Sequence, residues 1–235
     1  MLAMSGGGAY DFDKHCQRAA HTRFVSFEKV PRPMTDKISE GEWLACEDSA
    51  WMLKSLLEAA TEQQLRLFAC ACCRRIWDKY PMDWAEREFA SYGPGYESTI
   101  RYVYPRDWAD PRPRAAVEVA EAFCRGEASS AELQRAHERA QEFASYMWGR
   151  WEWANYRLGD AGHFAEYGVG AVTAQTADAA RDASDPDIRK SVIHCAKQAA
   201  SAIGFHVSEA KQSEAIRVEQ KSQAQMIREI FPWQR

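Results

Sequence analysis

The stretch LRLFACACCRRIWDKY, residues 65–80, decides the fold. At about 100° per residue, Leu65, Ala69, Cys72 and Ile76 fall on one narrow helical stripe. Phe68 flanks that stripe on one side, with Cys73 and Tyr80 on the other. Leu67, Ala71 and Trp77 occupy much of the remaining circumference. A helix apolar over so much of its surface has to be buried on more than one side, so it is expected at the centre of an all-helical core. Thr61 with Gln64 forms a capping box that opens it.

The cysteines raise a chemical question. On a helix, Cys70 and Cys72 point about 160° apart, so the sulfurs of Cys70, Cys72 and Cys73 cannot converge on one ion. Cys70 and Cys73 could supply two ligands, with Cys46 or a histidine completing the set. No second ligand pair with zinc-ribbon or zinc-finger spacing exists, however. Free cysteine packs as a small hydrophobe. The expectation is therefore structural, with Cys72 in the core and Cys70 on the side of the helix, and a metal or thiol-redox role for Cys70 and Cys73 as the alternative. Arg66, Arg74 and Arg75 are expected to make ion pairs or to solvate the helix edge and its C-terminal end, where cations are favoured, rather than to bind phosphate.

Working outward, Ser39 with Glu42 makes another capping box, followed by the short helix EWLACED; Ser49 can cap a second, AWMLKSLLEAA. Residues 1–36 carry Gly6 to Gly8 and VPRPM without sustained period, and read as a flexible arm ahead of a single helical domain, 37–235. The segment near 81–110, with YGPGY and YVYPRDW, reads as an aromatic-rich insertion and a long ordered loop. Asp110 followed by Pro111 starts a helix that turns Ala116, Val119, Ala120 and Phe123 inward and closes at Gly126.

Ser129 and Glu132 form a third capping box, opening a long helix to about Leu158 with a bend at Gly149. Gly159 to Gly170 reads as a break. AVTAQTADAARDA is a small-residue helix, and DPDIRKSVIHCAKQAASAIG follows with Asp185 capping. The last helix, from Ser208 to Phe231, sets Ile216, Gln223, Ile227 and Ile230 at helical spacing. The whole is an irregular bundle of about seven to eight helices with no significant sheet.

Composition narrows the chemistry. Of 235 residues, 46% are hydrophobic and 27% charged, which is a globular balance. A net charge of −4 gives no general attraction to nucleic acid or anionic lipid. No apolar run is long enough to span a bilayer, and the start has no secretory pattern. Seven cysteines without regular spacing fit reduced thiols in a cytoplasm. The chain holds no GxSxG, HExxH, Walker A or helix-opening glycine fingerprint. None of its histidines has Glu three residues before it, so the paired Glu-x-x-His of a di-iron bundle is missing. The dipeptides His15-Cys16 and His194-Cys195 are too isolated to mark a nucleophile, and His194 is expected to be a satisfied residue on a helix flank.

FASYMWGRWEWANY, residues 143–156, holds the densest recognition chemistry. Phe143, Tyr146, Trp148, Trp151, Trp153 and Tyr156 point around most of the helix and cannot all face one core. Trp148, Trp151 and Trp153 are either covered by the 81–110 segment, as expected, or form an interface for another protein or a second copy of the chain. The expected function is a non-enzymatic interaction module needing no cofactor and no membrane.

Several blocks carry a resemblance. EWLACEDSAWMLKSLL, LRLFACACCRRIWD, RAAVEVAEAFCRGEASSAELQRA and MIREIFPWQR resemble an uncharacterised bacterial protein family abundant in planctomycetes. Its members carry a TEAEWL-like segment, an RLFACACCRRIW-like helix and an LLREIF-like tail followed by prolines. The match covers the blocks at 41–79, 112–137 and 224–232. The resemblance brings no activity, ligand or partner with it. It implies Met34 as the family's usual start, which makes 1–33 an extension or the product of a mis-set start codon, and a longer 81–110 insertion than is typical.

Overall fold

A computed structural model describes residues 39–91, 103–157, 164–205 and 209–232, and their side chains except at 88–91, 103–105, 153–157, 164–167 and 209–210. These residues belong to one compact unit, Ile38–Arg235, and the expected arm, 1–36, lies outside them. The protein is all-α. The described residues form α1 (Glu40–Ala45), α2 (Ser49–Leu56), α3 (Glu62–Lys79), α4 (Trp84–Ser91), α5 (Val103–Trp108), α6 (Pro111–Cys124), α7 (Ser130–Arg157), α8 (Phe164–Ala183), α9 (Ile188–Phe205) and α10 (Glu209–Ile230). None of them is a strand. No helix among them is long and apolar enough to cross a membrane.

Local signals set most of the starts. Ser39 and Glu42 complete their capping box, as do Thr61 and Gln64. Ser129 and Glu132 do the same at α7. Asp110 caps α6 with Pro111 at its first position, and Gly126, at φ 75°, ends the turn beyond it. Four expectations change. Asp48 caps α2, accepting from Trp51 N at 3.0 Å, and Ser49 is instead buried, donating to Gln223 at 2.9 Å. The 81–110 segment is not a loop throughout, since α4 and α5 lie in it. The break expected at 159–170 ends by Phe164, where α8 begins. Val117, rather than Val119, faces the core beside Ala116 and Ala120.

Helix α3 runs through the centre and packs on α6, α8, α9 and α10. Leu65, Phe68, Cys72, Cys73 and Ile76 are fully buried and Trp77 is buried too, whereas Leu67, on the remaining circumference read from the sequence, is exposed. Helix α8, in turn, lies between α7 and α9 and is buried almost all round. Its alanines allow that closeness: Ala171, Ala174, Ala177, Ala179 and Ala180 are each 1% exposed or less.

Long polar side chains close the helix C-termini, whose last carbonyls have no partner within their own helix. From α3, Gln63 Nε2 donates to Cys124 O at the end of α6 at 2.7 Å, and Gln64 Nε2 to Ile230 O at the end of α10 at 3.4 Å. Lys79 Nζ donates to Ile203 O near the end of α9 at 2.8 Å, and the Tyr80 hydroxyl reaches the same oxygen at 3.1 Å. Elsewhere Arg189 donates to Leu57 O and Ala60 O beyond α2, and Arg228 to Trp43 O and Cys46 O at the end of α1. One central helix thus ties down several others.

Candidate functional site

The three arginines of the opening stretch have separate fates. Arg74 grips Glu121 of α6 through Nε at 3.0 Å and Nη2 at 2.7 Å. Arg75 grips Glu219 of α10 in the same way, at 2.8 and 2.7 Å. Both are ion pairs, as expected. Arg66 corrects the expectation, being only 1% exposed. Its Nη1 donates to Ala183 O at 3.0 Å and Asp185 O at 2.8 Å, and Nη2 to Pro186 O at 3.4 Å. A guanidinium offers several donors in a fixed plane, which suits a cluster of main-chain oxygens where a chain turns.

The cysteines are all interior on this helix. Cys70 is 1% exposed, so it does not stand aside from Cys72 and Cys73 as the stripe suggested. The neighbours on every flank of α3 account for the difference. Burial pushes the Cys70 and Cys72 thiols up, away from the thiolate a metal or a redox partner needs. Cys73 shares a hydrogen bond with Cys195. Among the described residues no group of three or more His, Cys, Asp or Glu side chains could hold a metal ion.

The aromatic helix leads to a cluster that the sequence did not announce. Trp148 is half-buried on α7, and its indole Nε1 donates to Asp178 Oδ2 of α8 at 2.5 Å. Arg181 Nη1 meets the other Asp178 oxygen at 2.6 Å, while its Nε and Nη2 meet Asp182 Oδ1 at 2.9 and 2.7 Å. Asp182 Oδ2 then lies 2.5 Å from His194 Nδ1 of α9. Gln198 Nε2 is 3.0 Å from His194 Nε2. With the amide donating there, the ring proton sits on Nδ1 and goes to Asp182. Both aspartates are buried. Burial pushes the Asp178 carboxyl up, against the opposing pull of Arg181 and the Trp148 indole.

This arrangement holds an imidazole in one tautomer at the surface, with a buried carboxylate behind it. It does not supply a nucleophile from the adjoining cysteine. Cys195 turns inward, its Sγ 3.3 Å from Ala179 O and 3.7 Å from Ala69 O. His194 is a partnered residue on a helix flank, as expected; His15 and Cys16 lie outside the described residues.

Trp148 and Trp151 stack edge to face, with centroids 5.3 Å apart and planes at 87°. Tyr146, one face round, is exposed, and Arg150 lies over its ring and donates to its hydroxyl at 2.6 Å. The side chain of Trp153 lies outside the described residues. The cover expected over these rings would come from the 81–110 segment. Its described residues build a cluster of their own, in which Trp84 and Trp108 meet each other and Tyr80. It touches α7 through Asp107, which pairs with Arg150 at 3.2 Å. Residues 92–102 lie outside the described residues. Among the described residues, Trp148 has its hydrogen-bond partner in Asp178, on α8.

Asp178, Arg181 and Asp182 were missed in the sequence. Their signal was present: a helix rich in alanine and buried almost all round leaves its charges only each other and its neighbours as partners. No protein-family model, curated protein or solved structure matches the chain.

Proposed function

We propose that this protein is a non-enzymatic helical interaction module that presents the α7 aromatic edge, Trp148, Trp151 and Trp153, to another protein or a second copy of itself. The observation that carries this is the Trp148–Trp151 pair. It is half-buried, edge-to-face, and anchored from below by a buried Asp178–Arg181–Asp182 network. Tryptophan, tyrosine and arginine dominate binding hot spots, and rings already held in place lose little freedom on association. The resemblance to the planctomycete family accompanies this proposal and adds no activity to it. A cytoplasmic location and partners other than nucleic acid or membrane fit the charge balance.

The thiol or metal alternative at Cys70 and Cys73 has less support, because buried, raised thiols are inert. The test is a photo-reactive residue at Tyr146, beside the edge, compared with one at the distant, exposed Lys221. A discrete cross-linked species at the first position, lost on Trp151→Ala, is expected. No species above the Lys221 control would rule out the α7 edge as the contact.

A further inference from the structure

Trp148 is anchored by a buried cluster whose charges do not balance. Asp178 and Asp182 are both buried carboxylates, and Arg181 serves the two of them. It gives Nη1 to Asp178 and both Nε and Nη2 to Asp182. Two carboxylates against one guanidinium leave a negative charge over, in an interior where an unmatched charge is expensive. The group in contact that can become a second cation is His194, whose Nδ1 lies 2.5 Å from Asp182 Oδ2. It is also where the cluster opens to water, its side chain 47% exposed against 5% for Asp182.

The other titratable groups around it are engaged elsewhere or uncharged. On α9 itself Lys190 is exposed and pairs with Asp187 at 2.6 Å, and Lys197 is exposed. From α7, His137 meets the main-chain oxygen of Arg181 at 3.0 Å rather than a carboxylate. Cys73 of α3 and Cys195 of α9, on which Asp182 acts through space, are buried thiols.

Gln198 gives the imidazole two positions. Its amide nitrogen is 3.0 Å from His194 Nε2, which fits a neutral ring that accepts there. A proton on Nε2 turns that acceptor into a donor, and the Gln198 amide must rotate to offer its oxygen. The charged ring then gives Asp182 a cation of its own and releases Arg181 toward Asp178. Burial pushes the Asp178 carboxyl up, and a charged His194 is among the groups that pull it back. The two residues therefore sense each other across the cluster.

We propose that His194 is a proton switch for the anchorage of Trp148. A proton taken up at Nε2 turns the Gln198 amide, neutralises the cluster and weakens the bond from the indole to Asp178. This concerns the ring in the isolated chain and does not depend on the interaction proposal.

The test is the indole N–H signal of Trp148 in the ¹⁵N-labelled full chain, titrated across about pH 5 to 8, where histidine changes charge. Trp148→Phe, or through-space contacts within the wild type, identifies the signal. On acidification it should move upfield, as a hydrogen bond to a better-neutralised carboxylate weakens, with the midpoint of the His194 Cε1–H signal. His194→Gln should fold, because the ring is at the surface, and should lose the step. Asp107 needs a control, since its carboxyl is pushed up to about 6 and pairs with Arg150 on the helix of Trp148. Asp107→Asn and His137→Gln should both keep the step. The wild-type co-titration decides without any variant. The proposal is overturned if the indole signal does not follow His194, if His194→Gln keeps the step, or if Asp107→Asn abolishes it.

Discussion

Arg66 Nη1 lies 2.8 Å from the main-chain oxygen of Asp185, so a buried guanidinium closes the turn between α8 and α9. Replacing it with methionine keeps the volume but strands the oxygens of Ala183, Asp185 and Pro186. A cost of about 3 kcal/mol is expected, measured by urea denaturation. Arg66→Lys should recover little, since a single ammonium cannot serve all of them. A methionine variant as stable as the wild type would show that water replaces the clamp.

The thiols should divide by burial. Among the described cysteines, which leave out Cys16, Cys46 and Cys124 are half-buried, whereas Cys70, Cys72, Cys73 and Cys195 are buried. In native protein a thiol reagent should modify Cys46 and Cys124 first and reach the other four only on unfolding. Cys70→Ser and Cys72→Ser should each cost on the order of 1–3 kcal/mol, because both place a hydroxyl in apolar surroundings. Stoichiometric zinc, lost on either substitution, would restore the metal alternative.

The difference between these two predictions and the sequence shows what was legible. Capping pairs such as Ser129–Glu132 are three residues apart and carry their geometry with them. The helix period placed Cys72 and Ile76 correctly for the same reason. Cys70 and Arg66 were misplaced because their burial depends on residues far along the chain, Val117 for one and Ala183–Pro186 for the other. The Asp182–His194 pair joins two helices, and no local pattern reports such a meeting.

Gly204 sits where α9 crosses α10. A Cβ there would lie 2.5 Å from Ile216 Cγ1, 3.3 Å from Ile216 N and 3.4 Å from Gln212 O. The side chain of Ile216 could turn, but the two backbone atoms cannot move without shifting α10. Gly204→Ala should therefore destabilise by about 1–3 kcal/mol despite the better helix propensity of alanine. A neutral result in thermal denaturation would mean that the helices separate easily.

Asp107 gives the stability a pH dependence of known sign. Burial, opposed by Arg150, pushes its carboxyl up to about 6. The ordinary unfolded value is about 3.9, so between these pH values the folded chain holds a proton that the unfolded chain has lost. The contribution of this group is thus fully present below about pH 4 and lost as pH rises through about 6. Asp107→Asn mimics the protonated form and should remove that component. Wild-type stability should fall relative to the variant from pH 4 to 6.5 in urea denaturation, and parallel curves would refute the assignment.

The aromatic edge separates anchoring from recognition at two adjacent tryptophans. Trp148→Phe keeps a ring against α8 but removes the donor to Asp178, leaving a buried carboxylate supported by Arg181 alone. It should cost on the order of 1–3 kcal/mol in the isolated protein. Trp151 lies a turn further along and touches Trp148 edge to face. If it serves a partner, Trp151→Ala should cost the isolated protein less than the 3–5 kcal/mol or so of a fully buried tryptophan, and weaken the cross-linked complex more. Acrylamide quenching adds an independent check, because the accessible tryptophan fraction should fall on complex formation. If Trp151→Ala instead unfolds the chain as severely as a core substitution, the ring is part of the interior and the α7 edge is not a recognition surface.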